Sequence, residues 1–517
     1  MYDLILFNAD VRTLDAAAPG AELVAIQGGR IQLVGRNEIL GRLRGPETAV
    51  IDCGKRTLLP GFIDAHCHVR AYAESLVSLN LSPRHGIHSI SDIQSRIRDC
   101  SRNQPSGTWI RGKSYNEFYL EEGRHPNRWD LDAAAPRHPV KLTHRSGHAH
   151  VLNSLALEQT GISVETGDPP EGLIDRDPES GAPTGILYGL SAYLAGKIPQ
   201  LDKCEIDRGL ALANEKLLSF GITSVQDVSA ANDVLRWKWF EEAKTKGILR
   251  PRLTMTMGWR AFAELQFKEF RYPDDATGLR LGGVKLVISH VTGNLHPSQE
   301  ELNEQVSAIH KAGLQAIIHA VEESEIEAAC NAVAYALNKH PRQNHRHRIE
   351  HCSVCPPPLQ RRLASLGIMA VTQPSFIYYS GDRYLKTVRG EQLEHLYPIG
   401  SMLHHGIQIG SGSDFPVSEP NAMVSIYAAV TRMAENGEKV VPRQGIPVLD
   451  AVKMHTTLSA YAGFEEGIKG SICRGKLADM VLLSEDPFSV DAGHLKDIKV
   501  AITILNGRVV WENPAVP

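Results

Sequence analysis

Three histidine pairs of the form His-x-His occur in this sequence: His66/His68, His148/His150 and His345/His347. On a β-strand alternate side chains share a face, so each pair could turn two imidazoles toward one metal ion. With 22 histidines in 517 residues, chance alone supplies roughly one such pair. Spacing therefore raises the idea of a metal site without choosing its residues.

Position along the chain narrows the choice. His66-Cys67-His68 closes the run Leu58-Leu59-Pro60-Gly61-Phe62-Ile63-Asp64-Ala65, so as a strand it would point both imidazoles inward and Cys67 outward. His319 and His351 each end a predicted strand, Lys285 lies in the strand before His319, and Asp414 follows another. Each has an ordinary structural alternative: a backbone-satisfied histidine, a snorkelling lysine, a helix-capping aspartate. Their recurrence at the carboxyl ends of successive strands, where barrel chemistry gathers, favours a shared site.

The elements that must position these residues read as follows. Residues 1 to about 58 are short strands, with Leu4 to Phe7, Leu23 to Ile26 and Arg30 to Val34 around a Gly28-Gly29 turn, then Val50-Ile51. The other end matches, with Ala478 to Leu483 and Val500 to Leu505, and with Asn506-Gly507 before Arg508-Val509-Val510-Trp511 as a hairpin signal. Neither β-rich end can bury a core alone, so the two are expected to pair into one small β-sandwich.

Between them strand and helix alternate. Val284 to Ile288 leads into a helix with a capping box at Ser298 and Glu301, an apolar stripe of Leu302, Val306 and Ile309, and a stop at Gly313, before Leu314 to His319. A further helix carries Ile326, Ala329, Cys330, Val333 and Leu337, followed by a strand from His347 to His351. Such repeating units imply a parallel sheet, doubly wound or closed into a barrel. Residues from about 70 to 205 fit the alternation poorly, with loop-like runs such as Gly167 to Gly172, and are expected to form an insertion over the barrel mouth.

Bulk properties bound the partners. The length exceeds what one core serves, so two domains or a decorated barrel follow. Net charge is −4 with no like-charge block, which argues against nucleic acid and polybasic membrane surfaces. No apolar run approaches about 18 residues, and the start of the chain lacks a basic, long-apolar leader, so a cytoplasmic location is expected. Eight scattered cysteines predict reduced thiols. Cys352-Ser353-Val354-Cys355 has structural-zinc spacing, but no second pair follows, and Pro356-Pro357-Pro358 reads as a plain loop.

Together, Pro60 to His68, Val284-Lys285-Leu286, His319-Ala320, Ile349-Glu350-His351-Cys352, Gly412-Ser413-Asp414, Gly470-Ser471 and Gly475 to Asp479 resemble the amidohydrolase superfamily. The likeness is to its YtcJ-like branch, which includes N-substituted formamide deformylases, and it extends to His125 to Asp132 in the insertion. One departure is Val321-Glu322-Glu323-Ser324, where relatives often carry Val-Gly-Asp.

The resemblance implies an α/β fold, a (β/α)8 TIM-like barrel over residues 59–465 with the insertion after its first strand. Residues 1–58 and 466–517 would form the β-sandwich. It implies that His66, His68 and Asp414 bind one of two divalent metal ions, zinc by donor type, and that His319 and His351 bind the other. Lys285, carboxylated on its amine, would bridge them. A metal-bridging hydroxide would attack the carbonyl of a small-molecule substrate, with Asp414 as general base and then general acid. Gly147-His148-Ala149 resembles a segment near substrate, which makes His148 a substrate-binding candidate.

The implied reaction is hydrolysis of a non-peptide C–N bond in an N-acyl, N-formyl or cyclic amide. An ester, lactone or carbamate at the same site stays open, as does a non-catalytic binding protein of the same ancestry, and a homodimer. Substrate choice is expected to rest on loop residues, including Tyr115, Tyr378, Tyr379 and the region after His290.

Overall fold

A computed structural model describes residues 1–169, 172–264, 277–289 and 295–516. The region after His290, expected to shape the pocket, therefore lies partly outside the described residues, as do Pro170 and Glu171 of the 167–172 run. The chain divides into two compact units, one of Met1–His68, Asn214–Ile288 and Gln299–Pro517, the other of Val69–Ala213 with Ser289–Ser298.

The first unit contains eight parallel strands, each beside its sequence neighbours: β1 (Phe62–Cys67), β2 (Ile222–Asp227), β3 (Arg252–Gly258), β4 (Leu279–Val287), β5 (Ala316–Ala320), β6 (Arg348–His351), β7 (Met369–Thr372) and β8 (Ile409–Ser411). Every residue of β1, β2 and β6 is buried, as expected for parallel strands covered on both faces. The sheet curls until its edges meet. Asp414 N donates to His66 O at 2.8 Å and His68 N to Phe415 O at 3.0 Å, nearly closing a barrel. Gly412 makes this approach feasible, because a Cβ there would lie 2.5 Å from His66.

Helices between strands carry the stripes the sequence predicts. Gln299–Lys311 buries Leu302, Val306 and Ile309, and Glu323–Lys339 buries Ile326, Ala329, Cys330 and Val333. Where relatives often have Val-Gly-Asp, Glu325 accepts from the amides of Val321 and Glu322, so a capping box starts the second helix.

Both chain ends build two further sheets. Thr57–Pro60 runs antiparallel to Met480–Leu483 and parallel to Asp10–Arg12, and Leu505 faces Arg508 across the two-residue Asn506-Gly507 turn. The sheets share a core that includes Leu6, Val24, Leu58, Met480 and Ile504.

Three local expectations differ from the structure. β4 starts at Leu279, five residues before the expected Val284: Gly282-Gly283 interrupts the apolar pattern in the sequence, yet the strand runs through it, with Gly283 passing tight against Gln315 O. Pro357–Leu366 is a helix, since proline suits a first turn whose N–H groups need no partner. Tyr378 and Tyr379 sit on the helix Ser375–Thr387 and Tyr115 ends the strand Ile110–Tyr115, so none is a loop residue.

The second unit holds a six-stranded sheet in the spatial order Leu173–Arg176, Pro183–Tyr188, Ala149–Leu152, Val140–His144, Ile110–Tyr115, Leu79–Asn80. The helix Ile90–Arg102, with a Ser89/Asp92 capping box, buries Ile90, Ile93 and Ile97 in that unit's own core. All eight cysteines are free, Cys352 and Cys355 included. Among the described residues no helix is long and apolar enough to cross a membrane.

His455 lies against the Phe62 ring, 6.3 Å between centroids, with both ring nitrogens buried and unpartnered. Burial pushes its pKa down to about 3. The neutral ring's contribution to stability is complete above about pH 6.5 and is lost as pH falls through the folded value. Between pH ~6.5 and ~5 the loss is on the order of 2 kcal/mol from this group. Denaturant unfolding across that range is expected to show a shallower pH dependence in His455→Leu than in wild type, and equal slopes would refute the assignment.

Candidate metal centre

Five of the six predicted ligands lie in or directly after strands β1, β4, β5 and β6, and the sixth, Asp414, follows β8. Register brings them level. Lys285 pairs with Ile317, Val287 with His319, His319 with Glu350 and Ala320 with His351. Donor atoms of His66, His351 and Asp414 lie within 4.8 Å of one another. His68 Nε2 is 3.1 Å and His66 Nε2 3.4 Å from Asp414 Oδ1, and the rings of His319 and His351 are 4.5 Å apart.

Each of three imidazoles is held through its Nδ1. His66 Nδ1 meets the Glu350 carboxylate, His351 Nδ1 is 2.7 Å from Gln373 Oε1, and His68 Nδ1 is 2.9 Å from Ser229 Oγ. The carboxylate and the amide oxygen can only accept, so His66 and His351 carry Nδ1–H and keep an Nε2 lone pair. Ligating histidines show this arrangement when an outer partner fixes the tautomer.

Electrostatics fit the same picture. Burial opposes ionisation of Glu350, but the Arg348 guanidinium at 2.7 Å and His66 hold its carboxyl down at about 2. Burial pushes the Lys285 ammonium down to about 8, with Glu350 and Asp414 pulling the other way. Asp414 stays far below the usual carboxylate range despite burial, because His66 and His68 face it. Asp64 binds the Ser413 hydroxyl at 2.6 Å, anchoring the turn that carries Asp414.

His66 Nε2, Lys285 Nζ and Asp414 Oδ1 are buried without a well-formed hydrogen bond. Unsatisfied buried polar atoms are rare and call for a partner. The converging lone pairs of His66 Nε2 and Asp414 Oδ1 suit a divalent cation. The His351 and Asp414 backbones lie at φ 68° and 57°, a left-handed conformation uncommon for such residues and typical of functional sites.

The two other His-x-His pairs serve elsewhere. His345 and His347 form a chain with His310, in which His310 Nδ1 is 2.8 Å from His347 Nε2 and His347 Nδ1 accepts from Ala316 N. His150 is buried in the second unit against Ser191 Oγ at 2.8 Å. His148 is exposed there, on the turn before Ala149–Leu152. Sequence reasoning assigned no role to Glu350, Gln373 or Ser229. Glu350 lies within the Ile349 to Cys352 motif, and Gln373 follows a strand as the candidate ligands do, which is the signal that could have found them.

The sequence matches the amidohydrolase family over residues 49–511. This chain belongs to that family. As an amidohydrolase it is a metal-dependent hydrolase acting on C–N bonds. It is 30% identical to the N-substituted formamide deformylase of Arthrobacter pascens over 99% of both chains. To amidohydrolase YtcJ of Bacillus subtilis it is 28% identical, over 95% of this chain and 96% of that one. Its fold is similar to an uncharacterized metal-dependent hydrolase from Pyrococcus horikoshii, with TM-score 0.75, 21% identity and 95% and 99% of the two chains covered.

If Glu350 orients His66, Glu350→Gln is expected to weaken metal binding about 10–100-fold while far-UV circular dichroism is unchanged. Chelator competition measures the affinity, and a wild-type value would remove Glu350 from this role.

Proposed function

We propose that this amidohydrolase cleaves N-acyl, N-formyl or cyclic amides. The observation that carries the reading is the convergence of His66, His351 and Asp414 donor atoms within 4.8 Å of one another, with His66 Nε2, Asp414 Oδ1 and the nearby Lys285 Nζ buried without a well-formed hydrogen bond. Similarity to a formamide deformylase along the whole chain supports the amide class. In this reading His66, His68 and Asp414 hold one divalent ion and His319 and His351 a second. Lys285 would add a further ligand as a carbamate, because an ammonium offers no lone pair and a carbamate offers two oxygens. Nitrogen and carboxylate donors suit zinc. Such ions, when bound, polarise a carbonyl and lower the pKa of water.

The chain's own residues do the rest. Asp414, fixed by the Ser413–Asp64 contact and by its backbone bond to His66, takes the proton of the attacking water and returns it to the leaving nitrogen. His66 and His351 keep their Nε2 lone pairs aimed because Glu350 and Gln373 occupy Nδ1. Nearly complete burial of these side chains excludes bulk water and strengthens each charge.

Asp414→Asn is expected to lower kcat by about 10²–10⁴-fold on N-formyl and N-acyl amides. Lys285→Ala should lose metal and activity, with partial rescue by small carboxylates. Undiminished turnover in Asp414→Asn, or full metal content in Lys285→Ala, would overturn the assigned roles.

A further inference from the structure

A cavity of about 720 Å³ opens in the first unit beside the early part of β4. It is lined by Arg280, Gln226, Thr254 and Thr256 and walled by apolar groups including Leu281, Leu314, Ile317 and Phe464. Pockets for small organic ligands occupy roughly 300–1,000 Å³ and combine an apolar wall with a few polar groups, as here. None of the six residues of the metal centre lines it.

Its charge is unbalanced in one direction. Glu465 also lines the cavity, but its carboxylate is committed to Lys469 Nζ at 2.9 Å and to the Thr254 hydroxyl at 3.3 Å. Arg280 lies 3.8 Å from the same carboxylate and spends one N–H on Gly463 O at 2.5 Å. A guanidinium has five donors and stays charged. Two cations, Arg280 in the lining and Lys469 outside it, thus face the one carboxylate of Glu465. Thr256, 1% exposed, adds a hydroxyl with no hydrogen-bond partner. A buried hydroxyl of this kind has a donor to offer, and an anion completes both it and Arg280.

We propose that this cavity is a second ligand site, for a small organic monocarboxylate with an apolar body. The carboxylate is held by Arg280 and the Thr256 hydroxyl, and the body lies against Leu281, Leu314 and Phe464. The site is independent of the metal centre and of the reaction assigned to it. Gly282 and Gly283 of β4 also line the cavity.

Bromonaphthoate is the probe, and its neutral acetyl analogue is the control. Calorimetry on the metal-loaded wild type should show saturable binding of the anion and at least about tenfold weaker binding of the neutral compound, the ratio expected when a charged hydrogen bond is lost. Arg280→Gln should weaken the anion about tenfold or more without changing metal content. A wild-type crystal soaked with the probe should give an anomalous bromine peak beside Phe464, a readout that does not depend on any variant folding. Absence of saturable binding, equal affinity in Arg280→Gln, or bromine only at the His66–Asp414 cluster would each overturn the proposal.

Discussion

The barrel is organised around a carboxylate that it buries completely. Glu350 has no solvent exposure, and it is held by Arg348 at 2.7 Å on one side and by His66 on the other. Taking such charges out of water costs more than a simple pair returns, so the arrangement stands only if every remaining donor finds an acceptor. Arg348 reaches across the lumen to do this, donating to Gln226 Oε1 at 2.6 Å and to Ala65 O at 3.0 Å. Residues of β6 thereby bind residues of β2 and β1, which the sheet order sets several strands away. The closed geometry and the buried charge require each other: an open sheet would leave Arg348 without these acceptors.

The same closure explains the unusual backbone. Asp414 is left-handed at the point where the β8 end crosses β1, tied by its own amide to His66 O and by Ser413 to Asp64. A non-glycine residue in that conformation costs about 1–2 kcal/mol, which the surrounding bonds must offset. The gain is direction. The carboxylate is presented between His66 and His68, and an extended backbone at that position would carry it elsewhere.

Legibility in the sequence followed the range of the interaction. The approach of His66, His351 and Asp414 could be read because histidine and aspartate at strand ends are few, and the strand-helix alternation fixes which ends are equivalent. The pairing of the two chain ends was legible in kind, from β-rich segments and an Asn-Gly turn, but the choice of Thr57–Pro60 against Met480–Leu483 depends on register set across the fold. Gln373 and Ser229 were invisible because amides and hydroxyls are common and their task is defined only by the imidazole they meet. Arg348 to Gln226 is a contact across 122 positions, with no local pattern to announce it. The six-stranded sheet of the second unit was missed for another reason: its strands are short, one only two residues long, and mixed in direction, so none carries enough period to stand out from loop.

Hydrogen-bond satisfaction varies along the lumen, and this separates structural from chemical polarity. In the middle, Arg348 donates to Gln226 Oε1 and Ala65 O and forms an ion pair with Glu350, while Arg348 Nε and Glu350 Oε1 lack a well-formed hydrogen bond. Toward the carboxyl ends of the strands His66 Nε2, Lys285 Nζ and Asp414 Oδ1 are left over. Toward the other side Lys469 is spent on Glu465 and on Ser224 Oγ at 3.0 Å, and the Thr256 hydroxyl is left over. Buried polar atoms are expensive to leave unmatched. Where such atoms converge, as His66 Nε2 and Asp414 Oδ1 do, they mark where the fold holds a place for a partner that the chain does not itself supply.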